Sequence, residues 1–405
     1  MEKLRSNKWI ALLFACIIIL QSGHALQTIF SRLTYLIFIP AAIAIAFLIR
    51  DCGRINLAKA KDAALAIFSL MIVVSMTVDM GDGLSFYLLM LMRVFAAYLV
   101  CSLYSFEDIS KWYLRTMTVV SAVSLVGYVL VNNTSLLEAL PTLVNTNDVE
   151  YGVAIIFNCI KVIPERNCAM FWEPGLFATH LTISMLLEML SKQKPSFWRM
   201  ALFTVCIFTA NSSAGFVLWF LCMVLLLLKN TKDGISLWRI IFSVVVLAAA
   251  FFVVANFDAI LASTSLGENE YFIKLYSDNV SASTRSQAIQ HNLKMFGQGP
   301  LFGAGYSNVT ENMMYTADTS TSTFLMSVFG ILGISYTLFL GYGALKIKNL
   351  NFASKVIVAA ILIIIVNKEP HHQIFFTWIL LFYLLGDVHA GGAREDALSV
   401  DRGEP

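Results

Sequence analysis

Twelve apolar runs, each bounded by charged or turn-rich breaks, leave this chain few folds to choose from. They fall at roughly 9–23, 33–49, 62–78, 84–104, 112–132, 174–191, 198–210, 213–228, 237–256, 321–345, 352–367 and 373–388. A helix needs about 20 predominantly apolar residues to cross a bilayer core, and several of these runs reach that length. Only 13% of the 405 residues are charged and 58% are hydrophobic, whereas a soluble domain is nearer a quarter charged. The sequence predicts an all-α, polytopic membrane protein with about 12 transmembrane helices. Residues 1–388 form one integral membrane domain with two large loops, about 133–173 and 257–320, and 389–405 form a tail without fixed structure. The net charge of +2 gives no reason to expect a nucleic-acid partner.

Lysine and arginine set the expected orientation. With the N-terminus inside, most of the 28 basic residues fall in cytoplasmic segments. The outer face keeps Arg32, Lys161, Arg166, Lys274, Arg285, Lys294 and Lys368, and Arg93 lies within a helix. Both termini are therefore expected in the cytoplasm and both large loops outside. The first run also fits a cleavable secretory signal, because Lys3, Arg5 and Lys8 precede a short apolar stretch ending near Gly23-His24-Ala25. A retained helix is the preferred reading, and cleavage would leave the other helices oriented as before. A twelve-helix transporter would share the helix count but carries internal repetition and a midplane site. No such repeat is visible here, and long connections tend to be functional, so the site is expected in the outer loops.

The first large loop ends in Pro164-Glu165-Arg166-Asn167-Cys168-Ala169-Met170-Phe171-Trp172-Glu173-Pro174-Gly175. A proline at the first helical position and a nearby carboxylate are ordinary helix-start chemistry. The same segment puts a cation, Arg166, and a carboxylate, Glu173, together at the membrane surface, anchored by Trp172 and Phe171. In the second loop, Ser283-Thr284-Arg285 opens a predicted amphipathic helix with Ile289, Leu293 and Phe296 on one face. A turn follows, Gly297-Gln298-Gly299-Pro300-Leu301-Phe302-Gly303-Ala304-Gly305-Tyr306. No βαβ context supports a dinucleotide site there.

Arg93 lies ~13 Å below the outer end of its helix at 1.5 Å per residue. It calls for a wet cavity or an ion-pair partner, and the two readings stay open. Asn211-Ser212-Ser213-Ala214-Gly215 lies only ~18 Å of helix beyond Arg199, at a depth where irregular polar backbone must line a protein cavity. The seven cysteines form no metal-type cluster. Cys159 and Cys168 share the first loop, where an oxidising exterior permits a disulfide holding the Arg166–Glu173 segment. His371 and His372 read as interfacial residues at a helix end, and no acidic pair resembles a divalent-cation site.

Several of these segments together resemble the Wzy-type O-antigen polymerases, within the wider family that also holds the O-antigen ligases. The likeness is carried by Arg166 through Phe171-Trp172-Glu173-Pro174-Gly175-Leu176-Phe177-Ala178, by Ser212-Ser213-Ala214-Gly215, by Arg285 with Pro300-Leu301-Phe302-Gly303-Ala304-Gly305, and by Phe329-Gly330-Ile331-Leu332-Gly333. It covers roughly residues 150–340. Ligases typically carry a His-Asn pair before the helix that returns after the large loop. This chain reads Ala317-Asp318-Thr319-Ser320-Thr321-Ser322-Thr323 there, which favours polymerase within the family.

The resemblance implies a multi-pass protein of the bacterial inner membrane whose active site faces the periplasm. It implies a glycosyltransferase that moves a growing O-antigen glycan from undecaprenyl-type polyprenyl diphosphate to a sugar hydroxyl of a lipid-linked repeat unit, in lipopolysaccharide biosynthesis. Loss of a diphosphate leaving group needs cations, for which Arg166 and Arg285 are the candidates, with Arg93 behind them. Glu173 is the candidate base and Asp318 the fallback. Ser212, Ser213, Gly303, Gly305 and Tyr306 are candidate substrate-binding residues. A diphosphate is already an activated leaving group, so no cofactor or metal is required. The expected partners are polyprenyl-diphosphate-linked oligosaccharides, membrane lipid and, by family, a chain-length regulator. An O-antigen ligase and a lipid-linked oligosaccharide flippase are the alternatives.

Overall fold

The computed structural model describes residues 17–50, 60–80, 82–154, 156–191, 194–229, 279–311, 317–386 and 388–390. The helix expected at 237–256 and the first part of the second large loop lie outside the described residues.

The chain runs α1 (Ala25–Ile29), a 3-10 helix (Ser31–Ile37), α2 (Phe38–Arg50), α3 (Ala60–Val78), α4 (Leu84–Leu103), α5 (Phe106–Asn133) and α6 (Leu136–Ala139). Three short strands follow, β1 (Thr142–Val144), β2 (Glu150–Ala154) and β3 (Phe157–Ile160). The remaining helices are α7 (Pro174–Ser191), α8 (Phe197–Ala210), α9 (Ser213–Lys229), α10 (Asn279–Gln298), α11 (Tyr306–Glu311), α12 (Thr321–Phe329), α13 (Ser335–Lys346), α14 (Phe352–Val366) and α15 (Phe375–Leu385). Among the described residues, Ala60–Val78, Leu84–Leu103, Phe106–Asn133 and Thr321–Lys346 are long and apolar enough to cross a membrane. Phe197–Ala210, Ser213–Lys229, Phe352–Val366 and Phe375–Leu385 are shorter apolar helices, and the protein is a helical membrane protein.

Local chemistry explains where helices depart from the apolar runs. Pro40 cannot donate and clashes with a helical carbonyl four residues back. The α-helix therefore starts at Phe38, with a 3-10 turn ahead of it. The run expected from 112 starts at Phe106 instead, because Ser105 and Asp108 form a reciprocal capping box. The run expected at 321–345 is broken into α12, a 3-10 helix at Gly330–Ile334, and α13. Gly330, at φ 67°, lets the Pro300–Gly303 loop pass against the break: an added Cβ would lie 2.5 Å from the Leu301 carbonyl. The loop also satisfies the opened backbone, with Ile331 N donating to Pro300 O at 2.9 Å and Ala304 N to Ser327 O at 2.8 Å. That satisfaction is what makes a broken helix tolerable at membrane depth.

Two helices form the centre. In α7 every residue from Pro174 to Leu190 is buried, and α15 is buried along its whole length. α15 is apolar almost all round, as a helix enclosed by other helices tends to be, whereas α7 also buries Thr179, His180, Thr182, Ser184 and Glu188. α7 packs on α5, α8 and α9, and α15 on α4 and α13.

The helical architecture also carries one small sheet. The first large loop folds into an antiparallel sheet in the order β1-β2-β3, registered by Leu143 opposite Tyr151 and Gly152 opposite Cys159. The tail is also tied down at its start, since Lys348 N donates to Val388 O and Ala390 N to Lys348 O, both at 3.0 Å. Residues 391–405 lie outside the described residues.

Candidate functional site

The sheet positions the N-terminus of α7. Asn158 N donates to Ala169 O at 2.6 Å and its Nδ2 to Met170 O at 2.9 Å. Tyr151 Oη donates to Trp172 O at 2.7 Å. Glu173 is thereby delivered to the head of a buried helix whose first residues are Pro174 and Gly175. On the neighbouring hairpin, Asn211 ends α8 in the left-handed region (φ 46°), and Ser212 leads into α9.

These two helix starts open on one cavity of about 690 Å³. Of the residues singled out in the sequence, Arg166, Glu173, Ser212, Ser213, Arg285, Tyr306 and Asp318 line it, brought together from five separate segments. Gln373 lines it as well and donates to Asp318 Oδ2 at 2.8 Å. The N-termini of α7 and α9 add their positive dipole ends, which favour an anion.

Two further lining residues escaped the sequence reading. Lys368 and Glu369, in the turn between α14 and α15, reach the centre of the cluster. Lys368 Nζ donates to Gly175 O at 2.8 Å and Ser212 Oγ at 3.0 Å, linking the two helix starts. Glu369 faces Glu173, and its Oε1 lies 3.8 Å from Arg285 Nη2. The Oε1 atoms of both glutamates are buried and receive no hydrogen bond from another described group. Glu173 and Glu369 thus form a buried acidic pair beside Lys368, which the sequence reading did not anticipate. The only sequence signal was an adjacent opposite-charge pair between two apolar helices, and Lys368 drew notice only as one of the scarce outer cations.

Burial drives the Glu369 carboxyl well above the usual carboxylate range, and the adjacent Glu173 charge raises it further. Glu369 therefore holds a proton toward Glu173, the arrangement expected of two carboxyls in contact. Burial lowers the Lys368 ammonium from its ordinary value, opposed by the charges of Glu369 and Glu173. Burial also raises Asp318 to about 6. Gly175 makes room for this cluster: a Cβ there would sit 2.9 Å from Glu369 Oε1 and 3.2 Å from Lys368 Nζ.

Other expected site residues fall elsewhere. Gly303 and Gly305 do not line this cavity. Gly303 (φ 83°) packs on the backbone of Val328, and a Cβ on Gly305 (φ 81°) would lie 2.6 Å from Asp79 Oδ1, so both serve the fold of the loop. Arg93 is buried one layer behind the wall: Phe324 lines the cavity, its ring stacks on His372 at 4.7 Å, and His372 feels the Arg93 charge. His371 and His372 are not interfacial but fully buried, and burial holds both neutral.

The amphipathic face of α10 is also offset. Ala288, Asn292 and Met295 are buried while Leu293 is 47% exposed, because the face bearing Arg285 turns inward. Cys159 and Cys168 are both free thiols. Cys159 packs with Phe157 and Val131, and Cys168 with Ile160 and Tyr151, so the two point to opposite faces of the sheet. Burial pushes the thiols up to about 11 and about 12.

Apolar helices enclosing a cavity where three cations and three carboxyls meet define a membrane protein with a charge-dense, anion-receptive site. Residues 198–327, just under a third of the chain, match the family Wzy_C, described as O-Antigen ligase. The match supports the O-antigen polymerase/ligase superfamily, whose members process surface glycans as glycosyltransferase-like enzymes. It includes Ser212, Ser213, Arg285 and Asp318, while Arg166, Glu173, Lys368 and Glu369 fall outside it. No curated protein matches the chain.

Proposed function

We propose that the protein is a surface-glycan polymerase of the bacterial inner membrane, working at its periplasmic face on polyprenyl-diphosphate-linked oligosaccharides. The supporting observation is the convergence of Arg285, Lys368 and Arg166 with two helix N-termini on a cavity that also holds carboxyls. A diphosphate carries the charge that such a set neutralises.

In this reading, the acceptor sugar hydroxyl forms a bond to the anomeric carbon of the growing glycan. The anomeric carbon–oxygen bond to the diphosphate breaks, its electron pair stays on the diphosphate, and the hydroxyl proton passes to Glu173. Arg285, Arg166 and Lys368 stabilise the negative charge that develops on the departing oxygen. Glu369, holding its proton toward Glu173, orients that carboxylate.

The chain has a carboxylate with an amide partner, Asp318 and Gln373, where ligases typically carry histidine, and this supports polymerase over ligase. The family description, O-Antigen ligase, favours the second reading, transfer to lipid A-core. Deletion of the gene followed by gel analysis of surface glycans separates them. Loss of the ladder with single-unit material retained is the expected polymerase result, whereas loss of all glycan from the acceptor lipid means ligase.

A further inference from the structure

The cavity has two chemically different walls. Its charged wall has been described. A second part of its lining comes from the small sheet and from α1, through Thr28, Asn145, Asn147, Val149, Tyr151 and Ile160. Among the lining residues from Thr28 to Ile163, Tyr151 alone is ionisable, and burial raises it so that its hydroxyl stays neutral. Trp172, half-buried, stands where this wall meets Glu173.

The wall is rigid. The β1–β2 turn is closed by Asn145, whose Oδ1 accepts from Asn147 N and Val149 N, both at 2.9 Å, and Asn145 N donates to Val149 O at 3.0 Å. Asn145 and Thr28 also hydrogen-bond Tyr151, whose hydroxyl holds the Trp172 carbonyl. Asn147 is exposed at the tip, and among the described residues its side-chain amide makes no hydrogen bond.

We propose that this sheet wall selects the sugar. It binds a neutral, hydroxyl-rich oligosaccharide, with the Asn147 amide bonding sugar hydroxyls, Trp172 packing against a ring face, and Asn145 and Tyr151 as positioning residues. The chemistry matches: an amide offers both a donor and an acceptor to hydroxyls that are themselves both. Trp supplies a large apolar face at a wet boundary. A site built to hydrogen-bond substrate hydroxyls rejects analogues that lack them far more strongly than an apolar pocket rejects a missing methylene. The proposal rests on the glycan-transfer reading and adds a division of labour, diphosphate on the cationic wall and sugar on the neutral one.

The test is calorimetric titration of the full-length protein in detergent with two probes. One is the host's own repeat-unit oligosaccharide, released from its carrier and free of phosphate; the other is inorganic diphosphate. Asn147→Ala, at an exposed turn tip, is expected to weaken oligosaccharide binding at least tenfold and leave diphosphate binding unchanged. Trp172→Ala is expected to do the same, with Trp172→Phe restoring part of the loss. Arg285→Ala is expected to show the reverse pattern. Unchanged oligosaccharide affinity in both Asn147→Ala and Trp172→Ala would overturn the sheet wall as the sugar site. Wild-type protein that binds diphosphate but not the oligosaccharide would also overturn it while leaving the cationic wall standing. Binding of neither probe would remove the functional reading with it.

Discussion

The two ends of α7 hold carboxylates in opposite circumstances. Near the C-terminal end, Glu188 is fully buried and satisfied: Arg199 Nη1 donates to Oε2 at 2.7 Å and Ser196 N to Oε1 at 2.8 Å. Arg199 itself remains 29% exposed, so the pair keeps access to water. At the N-terminal end, Glu173 and Glu369 face each other, each leaves a buried oxygen without another donor, and the closest guanidinium is at 3.8 Å, beyond hydrogen-bond length. One end spends its charges on structure. The other keeps cations and carboxyls apart from ideal geometry around an open cavity, as a site must if an incoming anion is to complete it.

Substitutions should separate the two ends. The largest effects belong to the cavity. Arg285→Ala and Glu173→Gln are each expected to lower polymerisation by about 10³-fold with the protein level in the membrane unchanged, read from the glycan ladder and an immunoblot. Arg285→Lys should recover little of this, because a single ammonium cannot reproduce a two-pronged contact to phosphate. Next comes Gly175→Ala. Its Cβ meets the side-chain ends of Glu369, Lys368 and Glu173, so the fold should persist while the cluster shifts, with activity falling roughly 10–100-fold.

Glu188→Gln should do the converse, costing about 2 kcal/mol of stability, seen as a lower Tm in detergent, with turnover per folded molecule unchanged. The smallest effect is one of pH. Asp318 sits at about 6 against an ordinary 3.8, so the folded state holds a proton that the unfolded chain releases. This group therefore makes stability fall as pH rises from 3.8 to about 6. Asp318→Asn, neutral throughout, should flatten that part of the Tm–pH profile.

The central helices were legible because apolar runs flanked by charges state their limits. The run at 174–191 is α7, and 198–210 and 213–228 become α8 and α9 to within a residue at either end. The cavity was partly legible for the same reason, since Arg166, Glu173, Arg285 and Asp318 are scarce charges placed next to such runs. Lys368 and Glu369 were not, because Lys368 stood out only as a scarce outer cation, and only the packing of α14 beside α9 turns it toward Ser212. The sheet was hidden because its strands are only three to five residues long and the burial of β2 and β3, eBBBe and BBBB, does not alternate. The Cys159–Cys168 expectation failed because loop membership says nothing about which face of a strand a thiol occupies.

Reconstitution of the purified protein in liposomes with polyprenyl-diphosphate-linked repeat units tests the central claim most directly. A ladder of polymer should form with one polyprenyl diphosphate released per linkage, and it should vanish in Arg285→Ala. An absence of polymer together with glycan transfer that appears only when lipid A-core is supplied would contradict the account.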